Sequence, residues 1–283
     1  MAEGPILVLG ATGGQGGAVV NALLARGTQV RALVRDTAAG PARRLANRGV
    51  GVVGGSLQDE ASLAAGMDGV AGLFALTTPF EAGVEAEVEQ GRAILAAARR
   101  ARVSHLVFSS VAGANQHSGV PHFDSKAVIE AELGAGDVPY TILGPTYFFD
   151  NALGGADRIR SGVFDLPLAP DRSLQQLARP DLGAFAAEVL HNPASFLGQR
   201  IELASDAPTP VQMATALSTA LGRPVRHERV PLERVGNPDL HAMWEFLNGP
   251  GYQVDIPTLH EAHPELTWTS FPDWATHTFG TAK

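Results

Sequence analysis

Through the first half of the chain, short, mainly apolar runs take turns with longer stretches whose apolar positions recur every three or four residues. The runs are Ile6 to Leu9, Val30 to Val34, Val50 to Gly54, Val70 to Ala75, Ser104 to Ser110 and Pro139 to Leu143. Strands that are apolar without alternation are buried on both faces, the condition of a parallel sheet covered by helices on each side. The intervening stretches predict those helices. They are Ala18 to Arg26, with Val19, Val20, Leu23 and Leu24 apolar; a helix carrying Arg43, Arg44 and Leu45, with Asp36 or Thr37 as its N-cap; and Asp59 to Met67. Ala82 to Ala101 follows, with Val84, Val88, Gly91, Ile94, Leu95 and Ala98 on one face and ends charged as the helix dipole favours. A further helix is expected from Lys126 to Leu133.

Beyond Ala152 this rhythm weakens. Leu153 to Gly162 reads as a polar helix, Val163 to Arg172 as an irregular segment or hairpin, Asp181 to Leu190 as a helix, and Gln199 to Ala204 and Val225 to Val230 as strands. Thr209-Pro210 opens a helix that Gly222 stops, because Thr caps and Pro suits the first turn. The pattern predicts an α/β chain with a Rossmann-type doubly wound parallel sheet and a smaller C-terminal α/β substrate or partner portion. The expected division is 1–150 as the larger, Rossmann-type domain to which roughly 178–206 returns, with 151–177 and 207–283 forming the smaller part.

The first turn carries candidate chemistry. Gly10-Ala11-Thr12-Gly13-Gly14-Gln15-Gly16 stands between an apolar strand and an amphipathic helix. Glycines at that spacing let a pyrophosphate approach the backbone, facing free helix N–H groups and the positive end of the dipole. The same glycines could form an ordinary tight turn, but the strand before and the helix and second strand after supply the context that dinucleotide binding requires. Arg35 follows the second strand, 19 positions beyond Gly16, where such folds place the residue that selects the cofactor. An arginine there can pair with a 2′-phosphate, so NADP(H) is expected over NAD(H), with Asp36 as a competing ribose acceptor.

Composition narrows the function. Lysine and arginine number 21 against 29 acids, a net charge of −8 that offers no broad basic surface for nucleic acid. No apolar run reaches the length of a spanning helix, Met1 to Gly4 lead into the first strand without a signal peptide, and a cytoplasmic protein is expected. There is no cysteine, and the nine histidines show no tight pairing, so no metal site is expected.

Gly-Ala-Thr-Gly-x-x-Gly followed by Val34-Arg35-Asp36 resembles the atypical short-chain dehydrogenase/reductase superfamily, specifically its NmrA-like branch. Segments near Gly144-Pro145-Thr146-Tyr147, Gly251-Tyr252 and Phe271-Pro272-Asp273-Trp274 extend the resemblance over essentially the whole chain. It implies that Gly10, Thr12, Gly13, Gln15, Gly16 and Arg35 bind cofactor, that the loop of Thr77, Thr78 and Pro79 packs over it, and that Pro145 and Tyr147 line the nicotinamide end. It also implies a serine at the end of the fifth strand, here Ser110, that polarises a substrate carbonyl, and a Tyr-x-x-x-Lys pair on the next helix. The chain departs from this in three places. His122 stands four residues before Lys126 where the tyrosine would be, Gly144 replaces an arginine before Pro145, and Ser56 replaces an aspartate that contacts the adenine. Lys126 can still reach a nicotinamide ribose, because positions i and i+4 share a helix face. His122, with Ser110, is the candidate acid, since imidazole titrates near neutrality.

The resemblance thus implies an NADPH-dependent reductase of a quinone, carbonyl or similar electron-poor small molecule. The alternative is an NADP(H)-responsive redox sensor without turnover, acting on a regulatory protein partner; the missing tyrosine favours it.

Overall fold

Residues 4–280 are described by a computed structural model of the chain. In order they form β1 (Ile6–Val8), α1 (Gly14–Ala25), β2 (Val30–Val34), α2 (Gly40–Ala46), β3 (Gly51–Gly54), α3 (Glu60–Met67), β4 (Gly72–Leu76), α4 (Val84–Arg100), β5 (Leu106–Ser109), α5 (Pro121–Gly134) and β6 (Tyr140–Pro145). Then come β7 (Tyr147–Phe148), α6 (Ala156–Arg160), β8 (Val163–Leu166), β9 (Gln176–Leu177), α7 (Arg179–His191), α8 (Pro193–Phe196), β10 (Arg200–Leu203), α9 (Pro210–Leu221), β11 (Arg226–Arg229), α10 (Pro238–Asn248), α11 (Ile256–Ala262) and α12 (Phe271–Phe279). The start expected to lack a signal peptide falls largely on residues 1–3, outside the described residues.

Seven strands pair in the order β10-β6-β5-β4-β1-β2-β3, and every pairing in this sheet is parallel. Side chains along a strand alternate between faces, and both faces here meet apolar layers. Ile6 and Val8 of β1 join one core with Val19, Val20 and Leu23 of α1 and Phe185 and Val189 of α7. Leu7 and Leu9 join the opposite core with Leu63 and Met67 of α3, Ile94 and Leu95 of α4, and Ile129 of α5. This double burial explains why the runs are mainly apolar and do not alternate. It also makes the molecule the Rossmann-type doubly wound sheet that the pattern predicts.

α7 lies so close on α1 that a Cβ added to Gly183 would collide with the Ala18 backbone. β10 then joins the edge of the sheet beside β6, and Leu259, Leu266 and Trp268 lean on the same core. A third core, around Phe149, Phe164, Leu168, Trp244, Phe271 and Trp274, holds the smaller lobe.

Several boundaries differ from the pattern. Asp36 does not cap α2; Ala39 does, while Asp36 Oδ1 accepts from Ala38 N at 2.8 Å and closes a turn ahead of the helix. α4 starts at Val84 because Gly83, at φ +92°, turns the chain just before it. α5 starts at Pro121, five residues before Lys126, since Pro suits its first turn. Leu153 to Gly162 is a 3-10 stretch followed by the short α6.

Val163 to Arg172 is no hairpin. β8 pairs in parallel with β11, Val163 facing Arg226, and a parallel partner needs a crossover, which α9 supplies. The helix α9 has the expected Thr209 cap as a full capping box. The same signature of a capping side chain and an early proline opens α10 at Asn237, α11 at Asp255 and α12 at Ser270, three helices the periodicity reading missed.

If the α1–α7 contact holds the returning segment to the sheet, Gly183→Ala should destabilise the protein by roughly 1–3 kcal/mol, the usual range for overpacking. Gly154→Ala meets nothing within 4 Å among the described residues and should change stability by no more than about 0.5 kcal/mol. Urea unfolding of the two variants beside the wild-type chain measures both.

Candidate functional site

β1 leads outward to β2 and β3 on one side, while β4, its other neighbour, leads to β5, β6 and β10. At such a reversal the loops at the carboxyl ends of the strands diverge and leave a crevice. A cleft of about 790 Å³ opens there. The glycine turn, Arg35, Gly55 and Leu57 border it from the β1–β3 side. Pro145, Tyr147 and the α10 residues Leu240, Met243 and Trp244 border it from the other.

At the turn, Gly10 has φ +65°, a conformation that side chains other than glycine resist, and Gly13 N donates to Gly10 O at 2.9 Å. Gly13 is the N-cap of α1 and provides no side-chain acceptor, so the first N–H groups of the helix are left open toward the cleft. That arrangement receives an anion. Thr12, Gly13 and Gln15 line the cleft, and Gln15 Oε1 accepts from Ser109 Oγ at 2.7 Å, tying the turn to β5. Gly16 is not on the cleft wall. A Cβ there would collide with the Gly10 carbonyl, so this third glycine permits helix and strand to approach.

Arg179, the first residue of α7, was not expected here. It lines the cleft beside the turn, and a Cβ added to Gly14 would stand 2.5 Å from its guanidinium carbon. Its carboxylate partner Asp150 lies 3.5 Å away, and the buried Oδ2 of Asp150 has no partner among the described residues. The only sequence signal was an arginine at a Pro-marked helix start, 163 positions beyond Gly16.

Arg35 sits at the mouth, exposed, with Nη1 3.0 Å from Glu81 Oε2. Ser56 turns its hydroxyl into its own loop, toward Gln58 Oε1 at 2.6 Å, and Gly55, Leu57 and Gln58 line the cleft instead. Gly144 lets the Val111–Ala112 backbone approach; a Cβ there would lie 3.3 Å from it.

The floor is a buried polar cluster. Lys126 Nζ donates to Thr77 O and Thr77 Oγ1, both at 2.9 Å, and to Glu87 Oε1. An ammonium has three hydrogens, and these three acceptors use them all. Glu87 is fully buried and also accepts from Thr77 Oγ1 at 3.0 Å and from Ser125 Oγ at 2.5 Å. Burial pushes the Lys126 ammonium below its ordinary range, opposed by Glu87 and Glu130. Thr78 N donates to Gln90 Oε1 at 3.2 Å, which fixes the loop leading to Pro79. Glu87 and Gln90 lie on the buried face of α4, where the pattern offered only apolar positions. A carboxylate one turn before Gly91 was the available signal.

Ser110 and His122 also reach the cleft. The Ser110 hydroxyl donates to buried Glu130, whose other oxygen accepts from Arg200 Nε at 2.8 Å, so its hydrogen is turned away from a cleft carbonyl. His122 Nδ1 pairs with Asp239, in the first turn of α10. A carboxylate only accepts, so Nδ1 carries the hydrogen and Nε2 is the nitrogen left for another partner.

Around His122 the cleft is aromatic. Phe80 lies 5.7 Å from it, and Tyr147 lies 5.5 Å from Trp244, centroid to centroid. Burial pushes the Tyr147 hydroxyl up to about 12, opposed by its bond to Asn151, and pushes Tyr252 up as well. Both phenols are therefore neutral at physiological pH.

Apart from Gly16, the residues expected to bind cofactor or to act in catalysis thus border one cleft, whereas Asp36, the competing ribose acceptor, does not. Three known proteins bear on what such a cleft does. The sequence profile of the NmrA-like family matches residues 2–262. An NAD(P)H azoreductase of Xenophilus azovorans is 34% identical over 230 residues, covering 81% of this chain and 78% of that protein. An NADPH-dependent quinone oxidoreductase of Escherichia coli, complexed with NADPH, superposes with a TM-score of 0.82 at 28% identity, covering 97% of this chain and 100% of that one. A triphenylmethane reductase of Citrobacter sp., complexed with NADP(H), gives 0.81 at 25% identity, covering 96% and 99%. The chain belongs to the NmrA-like family.

The floor cluster makes a prediction of its own. Lys126→Met strands the buried Glu87 carboxylate and should cost about 3–5 kcal/mol of stability, whereas the Glu87→Met/Lys126→Met pair should recover most of it. Urea unfolding of the single and double variants checks this.

Proposed function

We propose that this NmrA-like NAD(P)H oxidoreductase uses NADPH to reduce a quinone, carbonyl or similar electron-poor small molecule. What supports the reading most is one continuous cleft that joins an uncapped helix N-terminus to an aromatic chamber with a histidine in its wall. The turn of Gly10, Thr12, Gly13 and Gln15 holds the pyrophosphate, with Arg179 as a second cation there and Gly16 acting only through packing. Arg35 takes the 2′-phosphate. Thr77, Thr78 and Pro79 flank the middle of the cofactor, and Pro145 and Tyr147 its nicotinamide end.

Bound NADPH would supply the hydride. The chain's own part is to position the acceptor among the aromatic residues and to provide a proton where the product needs one. His122 Nε2 is the proton donor for a carbonyl when the ring is protonated, with Asp239 holding Nδ1. Ser110 does not fill that role, because its hydrogen belongs to Glu130. Lys126 reaches a ribose hydroxyl only by giving up one of its three internal bonds. A quinone product can take its protons from water, so this reaction asks least of the protein. The commitment of Ser110 and Lys126 to internal partners equally favours the second reading, a dinucleotide-responsive sensor without turnover.

Anaerobic incubation with NADPH and a panel of quinones and aldehydes, followed by loss of nicotinamide absorbance, tests the proposal; no oxidation of bound NADPH by any acceptor would leave the sensor. Carbonyl turnover should fall about 10²-fold in His122→Phe with NADPH affinity unchanged, while quinone turnover changes little.

Calorimetry separates the binding residues. Arg35→Ala should weaken NADPH at least about tenfold and spare NADH, since a charge-assisted contact contributes about 1.5–3 kcal/mol. Arg179→Gln should weaken both cofactors alike. If Lys126 touches the ribose, the Glu87→Met/Lys126→Met variant stays weak in NADPH binding although its stability has returned; wild-type affinity would make the lysine purely structural.

A further inference from the structure

Arg35 and Glu81 face each other across the mouth of the cleft, and Glu81 comes from a loop that is not free to swing away. Its root is held by the Lys126 bond to Thr77 O at 2.9 Å and by the Gln90 bond to Thr78 N at 3.2 Å. Its far end is closed by Gly83 N donating to Pro79 O at 2.7 Å, with Gly83 at φ +92° making the exit turn. Between these anchors only Phe80 to Ala82 stand out, and Phe80 is 69% exposed. Losing the ion pair therefore does not carry the carboxylate far from Arg35. Asp36, the neighbouring acid, is already occupied, its Oδ1 bound to Ala38 N at 2.8 Å.

We infer that Glu81 is a cofactor-selectivity residue: it is an internal competitor for Arg35 that lowers the affinity for the 2′-phosphate of NADPH and so narrows the preference over NADH. This rests on the reading of Arg35 as the 2′-phosphate contact. A phosphate can pair with Arg35 only by displacing the carboxylate, and the displaced carboxylate, held nearby, then repels it. NADH brings no phosphate and is indifferent to the exchange. Both side chains are largely exposed, so the effect is that of a surface ion pair: modest and sensitive to salt.

The experiment is calorimetry of NADPH and NADH with wild type, Glu81→Gln, Arg35→Ala and the double variant, all surface changes that leave the cores untouched. Glu81→Gln should bind NADPH about two- to fivefold more tightly, the span of an exposed ion pair, and NADH as before. In the Arg35→Ala background the same substitution should have no effect. The gain should vanish at an ionic strength of about 1 M, where the Debye length is about 3 Å. If Arg35→Ala weakens NADPH but Glu81→Gln leaves it unchanged or weaker, the inference is overturned while the reading of Arg35 stands. If Arg35→Ala leaves NADPH binding untouched, the reading of Arg35 falls and the inference falls with it.

Discussion

The ion pair of Lys126 with Glu87 is the interaction on which the cleft depends. Both groups are out of water, and such a pair is tolerable only when every remaining hydrogen and lone pair has a partner. Thr77 and Ser125 supply those partners, and through them the end of β4, the first turns of α4 and the first turns of α5 are joined. The loop of Thr78 and Pro79 starts from that junction and is held further by Gln90. A rigid floor follows directly, because any displacement of one element would expose a charge to an apolar interior.

This internal satisfaction shapes the chemistry left over. The cluster's polar hydrogens point at one another, and Ser110 is bound to Glu130 in the same way. What still faces the cleft is His122 with one ring nitrogen unpaired among the described residues, two neutral phenols, and two arginines near the mouth and the glycine turn. Each arginine already has a carboxylate partner, Glu81 for Arg35 and Asp150 for Arg179. An incoming phosphate at either one therefore meets an exchange of partners and not a bare charge. Such a cleft suits a cofactor whose chemistry is self-contained, with the protein contributing orientation, exclusion of water and at most one proton.

The site is also assembled by both parts of the molecule. The large sheet provides the turn, the floor and α5, while α10 brings Asp239 and Trp244 against His122 and Tyr147. His122 is thus oriented by a residue 117 positions away. Changes in α10 act on the site through that contact.

The sequence alone determined the doubly wound sheet and the glycine turn, because local rules carry both, and its motifs carried the resemblance to the NmrA-like family. Strands buried on two faces must be largely apolar, and a close strand-to-helix turn must use glycine at Gly10 and Gly16. The Thr209 cap was legible for the same reason, and the caps at Asn237, Asp255 and Ser270 offered the same signal. Tertiary structure decided the rest. Periodicity could not show that Glu87 is buried, since a carboxylate on a helix is ordinarily solvated and becomes tolerable inside only when a distant lysine arrives to pair with it. Nor could it show that Lys126 lacks a free hydrogen, that Arg179 reaches the glycine turn, or that Asp239 holds His122. Each of these depends on a partner brought near by the crossing of elements far apart in the chain, and hydrogen-bond and charge pairing leave no period in the sequence.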